Sequence, residues 1–379
     1  MSEGLEGVVA ASTRISHVDG EAGRLTIAGY AVEDLAPCAT FEEVAYLLLN
    51  GRLPDDPECD RFTRDLTARR TLPPAAVEIL REAAAAHTPP MDALRMAAAI
   101  LSLGGDQNPS DENPIDAAMT AIASFPTIVG VYWRLINGLS PIDPDVRLSH
   151  AAHYLHQLFG VVPSAERARA LETYLNTVCD HGLNASTFTA RVIVSTRSDV
   201  LSAITGAVGA LKGPLHGGAP GPALDMVLEI GAAERAEAVI RAKLDRGERL
   251  MGFGHRVYRV RDPRADVLAR AAERFYASDG DHALYELARA VEVTALQVLR
   301  ERKPDRRLDT NVEFYTALLL HGLGLPSELF TPTFAVGRVA GWSAHCLEQL
   351  RDGRLIRPQS VYIGPTGRHY DRDAARVGA

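Results

Sequence analysis

From Thr40 onward, nearly every apolar run in this chain has a helical period and is bounded by residues that start or stop helices. Thr40 precedes Phe41-Glu42-Glu43-Val44 and the run ends at Gly51, which reads as an N-cap, a glutamate three residues on and a glycine stop. Pro73 and Pro74 open a second helix, where their missing N–H groups are harmless. A third, over 92–101, reads as buried. A polar loop over 104–114 separates these from long alanine-rich helices predicted over 117–137, 148–159, 165–180 and 187–211. Only the N-terminus reads as strand. Residues 8–16 are strand-like, Asp19-Gly20-Glu21-Ala22-Gly23 supplies a turn, and 24–28 returns as a second strand. The expected fold class is therefore all-α with a short N-terminal β-hairpin.

The chain has 379 residues, 46% of them hydrophobic, which is ample for a large core and for two lobes. No continuous apolar run reaches the roughly 18 residues that span a bilayer. Met1-Ser2-Glu3-Gly4-Leu5-Glu6 lacks the basic-then-apolar pattern of a secretion signal. With 40 basic and 48 acidic residues the net charge is −8, which argues against nucleic acid as a partner. An anionic substrate must then be held by local arginines. Cys38, Cys59, Cys179 and Cys346 form no CxxC pair and no metal spacing, so no metal site is expected and a reducing cytoplasm fits.

Three stretches place a histidine beside glycine: Cys179-Asp180-His181-Gly182, Gly213-Pro214-Leu215-His216-Gly217-Gly218, and Met251-Gly252-Phe253-Gly254-His255-Arg256. Glycine allows close approach of a ligand to the backbone, and histidine donates or accepts a proton near neutral pH. His216 lies on a loop that Pro214 and Gly217 keep from being helical; it either presents a ring nitrogen to a carbonyl oxygen or ties down its own loop. Beyond His255 come Arg259, Arg261 and Arg264, with Asp262-Pro263-Arg264 reading as N-cap, N1 and N2 of a helix over 264–276. A helix start with an arginine suits a carboxylate or phosphate, against a solvated basic turn as the alternative. Arg338 has apolar neighbours on every side of a helix, so its guanidinium needs an acidic side chain or an anionic ligand. Glu313 falls in the first turn of the helix that carries 314–320; it either complements the helix dipole or acts as a general base. His181 sits beside a helix start at Asn184-Ala185-Ser186-Thr187, and Arg357 follows the last helix at the edge of the tail.

Taken together these stretches resemble citrate synthase nearly end to end, from Gly4-Leu5-Glu6-Gly7 through Asn184-Ala185-Ser186-Thr187 and the His216 and His255 loops to Ala340-Gly341-Trp342 and Ile356-Arg357-Pro358. The resemblance implies a helical dimer of the small type, with a discontinuous, dimer-forming large domain (1–217 and 326–379) and a small domain on the coenzyme A side (218–325). It implies condensation of acetyl-CoA with oxaloacetate, then hydrolysis of citryl-CoA, with no metal and no tightly bound cofactor. The alternatives are 2-methylcitrate synthase using propionyl-CoA, or a low-activity paralogue with a binding role. By resemblance, His216 would hydrogen-bond the thioester oxygen, His255 would polarise the ketone and Glu313 would remove the methyl proton. His181, Arg264 and Arg338 would hold oxaloacetate, with Arg357 reaching the neighbouring subunit's site. Arg259 would contact coenzyme A phosphate, and the Met251, Gly252, Phe253 and Gly254 loop would face adenine. The chain departs from the family pattern at Glu313, where aspartate is usual, and at Val178, Pro220 and Ala28. The extra methylene of glutamate moves the carboxylate by roughly 1 Å, a displacement that can lower a rate ~100-fold.

Overall fold

The computed structural model describes residues 3–5, 7–104, 113–216, 220–254, 258 and 260–368. It is mostly helical, with a three-stranded antiparallel sheet near the N-terminus: β1 (Ser16–Asp19), β2 (Arg24–Ile27) and β3 (Tyr30–Ala31), in that order. The hairpin turn is where the sequence placed it, but the first strand is not 8–16. Asp19 Oδ1 accepts from the Ala22 N–H at 2.9 Å, and Asp19 Oδ2 from Arg24 at 3.1 Å. This closed turn pairs Asp19 with Arg24 and Ser16 with Ile27, which buries Leu25 and Ile27. Residues 8–14 lie upstream of the pairing, with Val9 88% exposed.

Helix starts follow the caps read from sequence. Thr40 and Glu43 form a reciprocal capping box on Phe41–Asn50, and Gly51 ends that helix at φ 76°. Asp262 caps Pro263–Ser278 as expected; Asn311 caps Val312–Gly322, a cap not read from the sequence. The predicted helix over 187–211 is two helices, Ala185–Ser195 and Val200–Leu211. Arg197 takes a left-handed φ of 68° between them, and Asp199 caps the second through the Ser202 N–H at 2.7 Å. The Ser-Thr-Arg-Ser-Asp composition of 195–199 is the signal for that break.

Pro114–Ile136, 23 residues, and Phe330–Asp352, 23 residues, pack against each other at the centre. Pro114–Ile136 corrects the expectation about apolar length: by length and composition it could cross a bilayer, yet 83% of its apolar window is buried inside the protein. It is a core helix, and the scattered alanines, threonines and Gly130 are what let its neighbours pack closely. The helices over 220–322 pack largely on one another. They meet the rest mainly where Pro263–Ser278 lies along Ala165–Val178.

The core also holds a polar centre. Arg70, fully buried, donates to the Asp145 and Leu148 carbonyls at 2.7 and 2.9 Å. His150 stacks on Phe41 at 4.2 Å, and His153 Nε2 lies 3.1 Å from Thr127 Oγ1. Burial, reinforced by the Arg70 charge, pushes the His153 imidazole down to about 3. A histidine buried neutral binds its proton only after the unfolded chain has done so. Its contribution is therefore complete above the unfolded value near 6.5 and is lost as pH falls below it. His153→Asn is expected to flatten the fall in stability between pH 6.5 and 4 by about 1.4 kcal/mol per pH unit. Urea unfolding across that range checks this; parallel slopes in the two proteins would contradict it.

Candidate active site

The site is built around the close approach of Phe330–Asp352 to the turn at 178–182. A Cβ on Gly341 would run into the Cys179 carbonyl oxygen and stand 2.6 Å from Asp180 Oδ1, so only glycine admits this contact. One turn earlier, Arg338 Nε donates to the Val178 carbonyl at 2.6 Å, and its guanidinium carbon lies 4.5 Å from the Phe334 ring centroid. Arg338 is 1% exposed, yet its two terminal nitrogens have no hydrogen-bond acceptor among the described residues. Burial, with Arg264 adding to it, pushes the guanidinium down to about 10, while Asp180 works in the opposite direction.

Asp180 is anchored from three sides. Ser16 Oγ donates to its Oδ2 at 2.5 Å, the Gly182 N–H at 3.2 Å and His345 Nε2 at 3.3 Å. Arg191 donates to His345 Nδ1 at 2.9 Å, which puts the imidazole proton on Nε2, facing Asp180. Arg191 also donates to Glu348 at 2.7 Å, and Glu348 accepts from the Arg14 N–H at 2.8 Å. Burial acts to raise the Asp180 carboxyl, but His345, Arg338 and Ser16 outweigh it and hold it below the usual value. This buried chain of Asp180, His345, Arg191 and Glu348 was missed by the sequence reading.

His216 stands at the end of its loop with Nε2 2.8 Å from Ser186 Oγ and 3.3 Å from the Ser186 backbone N–H. The Ser186 hydroxyl accepts from Trp342 Nε1 at 3.1 Å and lies 2.7 Å from Asn184 Oδ1. A backbone N–H can only donate, so Nε2 is the acceptor nitrogen and the ring proton belongs on Nδ1. Burial and the Arg338 charge push His216 down to about 4, so the ring is a neutral donor at physiological pH.

A second set of residues comes from 251–264 and 308–315. Phe253 and Thr310 form an isolated antiparallel bridge. The Gly254 N–H donates to the Asp309 carbonyl at 2.7 Å and the Asn311 N–H to the Gly252 carbonyl at 3.0 Å. Gly252 and Gly254 have φ of 88° and 81° and lie against Phe314 and Leu308. Asn311 Oδ1 caps the helix through the Glu313 N–H at 3.0 Å. The Glu313 carboxylate, partly accessible but walled by protein, has no hydrogen-bond donor among the described residues. Burial pushes it up to about 7, with Asp262 adding to the rise and Arg264 and Arg338 opposing it.

Asp262 and Arg264 are both buried and pair through two contacts of 3.1 and 2.8 Å, and Arg264 lies 6.0 Å from the Tyr258 ring centroid. His181 Nε2 is 3.1 Å from the Tyr258 hydroxyl. Arg338 thus acts electrostatically on His216 and Glu313 and is itself influenced by Arg264. Together with the His181–Tyr258–Arg264 contacts, this brings five of the site residues expected from sequence into one region. His255 and Arg259 lie outside the described residues. Met251, Gly252, Phe253 and Gly254 line a cavity of about 510 Å³ whose walls also carry Arg249, Lys303 and Arg306. Arg357 is exposed on the tail beyond the last helix and joins none of these groups within the chain.

Gly341→Ala tests the close approach. It is expected to destabilise the protein by about 3 kcal/mol, because backbone and a buried carboxylate must both shift. Thermal unfolding reads this directly, and an unchanged midpoint would contradict it.

The family model described as "Citrate synthase, C-terminal domain" matches residues 4–359. A citrate synthase of Haloferax volcanii is 41% identical over 371 residues, covering 96% of each chain. A 2-methylcitrate synthase of Shewanella oneidensis is 40% identical over 368 residues, covering 96% of this chain and 95% of the other. The citrate synthase of Thermoplasma acidophilum, solved as a ternary complex with carboxymethyl coenzyme A and oxaloacetate, is 32% identical with a TM-score of 0.86, covering 99% of both chains. The chain belongs to the citrate synthase family.

Proposed function

We propose that this protein condenses acetyl-CoA with oxaloacetate and hydrolyses the citryl-CoA formed. One observation carries the reading: a buried guanidinium with an unpaired fork, a neutral imidazole and a carboxylate near pKa 7 share one electrostatic neighbourhood. The fork of Arg338 fits a carboxylate of oxaloacetate, with His181 and Arg264 beside it. His216 Nδ1–H donates to the thioester oxygen, stabilising the negative charge that develops as the methyl proton leaves. Glu313 takes that proton. A carboxylate raised to about 7 is a stronger base than an exposed one and is still half ionised at neutral pH. The resulting carbon nucleophile attacks the ketone of oxaloacetate, which the family pattern assigns to His255.

The coenzyme lies along the Met251–Gly254 backbone. Arg249, Lys303 and Arg306 on the same cavity, with Arg259 from the family pattern, supply charge for its phosphates. The large domain comprises 1–217 and 326–379 and the small domain 218–325, so the reacting groups come from both sides of the cleft. A homodimer is supported by the apolar surface of the two terminal arms, where Val9 is 88%, Tyr362 71% and Ile363 92% exposed. Arg357 on the C-terminal arm then completes the partner subunit's site. A cytoplasmic location suits these substrates and the unpaired thiols of the four cysteines.

A propionyl-CoA reaction, giving 2-methylcitrate, is the second reading, supported by the 40% identity to the Shewanella enzyme beside 41% to the Haloferax citrate synthase. One methylene in an apolar pocket discriminates by only ~1–3 kcal/mol. Release of free thiol from acetyl-CoA and from propionyl-CoA, each with and without oxaloacetate, decides between them. Oxaloacetate-dependent thiol release, fastest with acetyl-CoA, is expected. Faster release from propionyl-CoA assigns the second reading, and oxaloacetate binding with no release from either thioester overturns both.

Glu313→Gln is expected to abolish turnover while raising stability. The folded carboxyl titrates near 7, above its unfolded value, so its contribution is present in acid and lost as pH rises through 7. The variant should therefore gain ~2–3 kcal/mol above pH 8 and little at pH 4, read by urea unfolding. Retained turnover would mean that another group is the base. Arg357→Ala is expected to raise KM for oxaloacetate at least tenfold with an unchanged unfolding midpoint; an unchanged KM would remove it from the site.

A further inference from the structure

Behind the candidate base lies a carboxylate that the reaction does not use. Glu292, on the His282–Arg302 helix, is 2% exposed and accepts four hydrogen bonds. Its Oε1 accepts from Thr310 Oγ1 at 2.7 Å and from Arg261 Nη1 at 2.9 Å. Its Oε2 accepts from the Tyr315 hydroxyl at 2.5 Å and from Arg289 Nη1 at 2.8 Å. All four lone-pair directions are filled, so the group is stable as a buried anion and has nothing left to offer a substrate.

The donors come from separate parts of the site. Thr310 lies three residues before Glu313 and Tyr315 two residues after it, so the first turn of that helix is fixed on both sides of the base. Thr310 also bridges Phe253, which ties the Gly252–Gly254 backbone to the same anchor. Arg261 directly precedes Asp262 and is further held by Asp266 at 2.5 Å. The position of the Asp262–Arg264 pair is therefore set from the same carboxylate.

We infer that Glu292 is a positioning residue for the condensation, fixing the Glu313 carboxylate relative to the Asp262–Arg264 pair. The inference rests on the reading of Glu313 as the base. Three of the four donors transmit it. Thr310 and Tyr315 set where the base stands; Arg261 sets where oxaloacetate is held. An anchor that served the fold alone would affect the unfolding midpoint and leave the kinetics of folded protein unchanged.

Thr310→Val and Tyr315→Phe remove one hydroxyl or hydrogen-bonding group each with little change of shape. Both are expected to lower kcat for acetyl-CoA about tenfold with KM for oxaloacetate within twofold of the parent, consistent with the sensitivity of rate to small displacements of a reacting group. With methyl-deuterated acetyl-CoA, their isotope effect on kcat should exceed the parent's, because proton removal has become slower. Arg261→Gln should instead raise KM for oxaloacetate at least fivefold with kcat nearly kept, and Glu292→Gln should do both. Parental kcat, KM and isotope effect in Thr310→Val and Tyr315→Phe would overturn the inference, even if Glu292→Gln fails to fold. Glu313→Gln is measured alongside. If it is inactive while the anchor variants are parental, only this inference fails; if it turns over normally, the reading of the base fails instead.

Discussion

A guanidinium buried in the middle of an apolar helix is the constraint on which the rest of the site depends. Desolvating a cation without an acceptor is expensive, and Arg338 has only the Val178 carbonyl as a hydrogen-bond partner among the described residues. Asp180 offsets part of that cost from a distance, and Asp180 is in turn held by Ser16 of the sheet and by His345, which Arg191 orients. The small N-terminal sheet is therefore not an ornament on a helical protein. Through Ser16 it secures the counter-charge of the central arginine. What the fold leaves undone is the pairing of two guanidinium nitrogens, which the proposed function assigns to a carboxylate of oxaloacetate.

The same charge reaches the other reacting groups. Arg338 helps keep His216 neutral, so the imidazole donates through Nδ1–H without carrying a charge that must be solvated. It also opposes the burial of the Glu313 carboxylate, as Arg264 does, which keeps that base from rising further. Glutamate in place of aspartate lengthens the side chain. The helix start compensates in part by fixing its backbone, with Asn311 capping from below and Thr310 and Tyr315 held on either side. Precision of placement is thus assigned to the residues around the base, and basicity to the burial of the base itself.

Much of this was legible in the sequence, for local reasons. Capping residues announced Phe41–Asn50 and Pro263–Ser278, and the apolar surroundings of Arg338 announced its burial. The misreadings were also local. The strand at 8–16 was displaced because the Asp19 turn, not β-propensity, sets the register. The helix at 187–211 was overextended because the polar break at 195–199 sits between two strongly apolar runs. What sequence could not deliver were contacts across long separations: Ser16 with Asp180, Arg191 with Glu348, Glu292 with Thr310. A buried Glu292 reads as an ordinary helical glutamate until three other elements are seen to converge on it. The resemblance to a family named candidate reacting residues, but it carried no account of what holds them in place.

The most direct test is a crystal structure of the protein with oxaloacetate and a non-reactive thioether analogue of acetyl-coenzyme A. The account predicts a carboxylate of oxaloacetate on the two terminal nitrogens of Arg338. It also predicts His216 Nδ1 within hydrogen-bond distance of the acyl oxygen position, and the Glu313 carboxylate against the acyl methyl position. Oxaloacetate seated away from Arg338, or an acyl group that His216 and Glu313 cannot both reach, would contradict it.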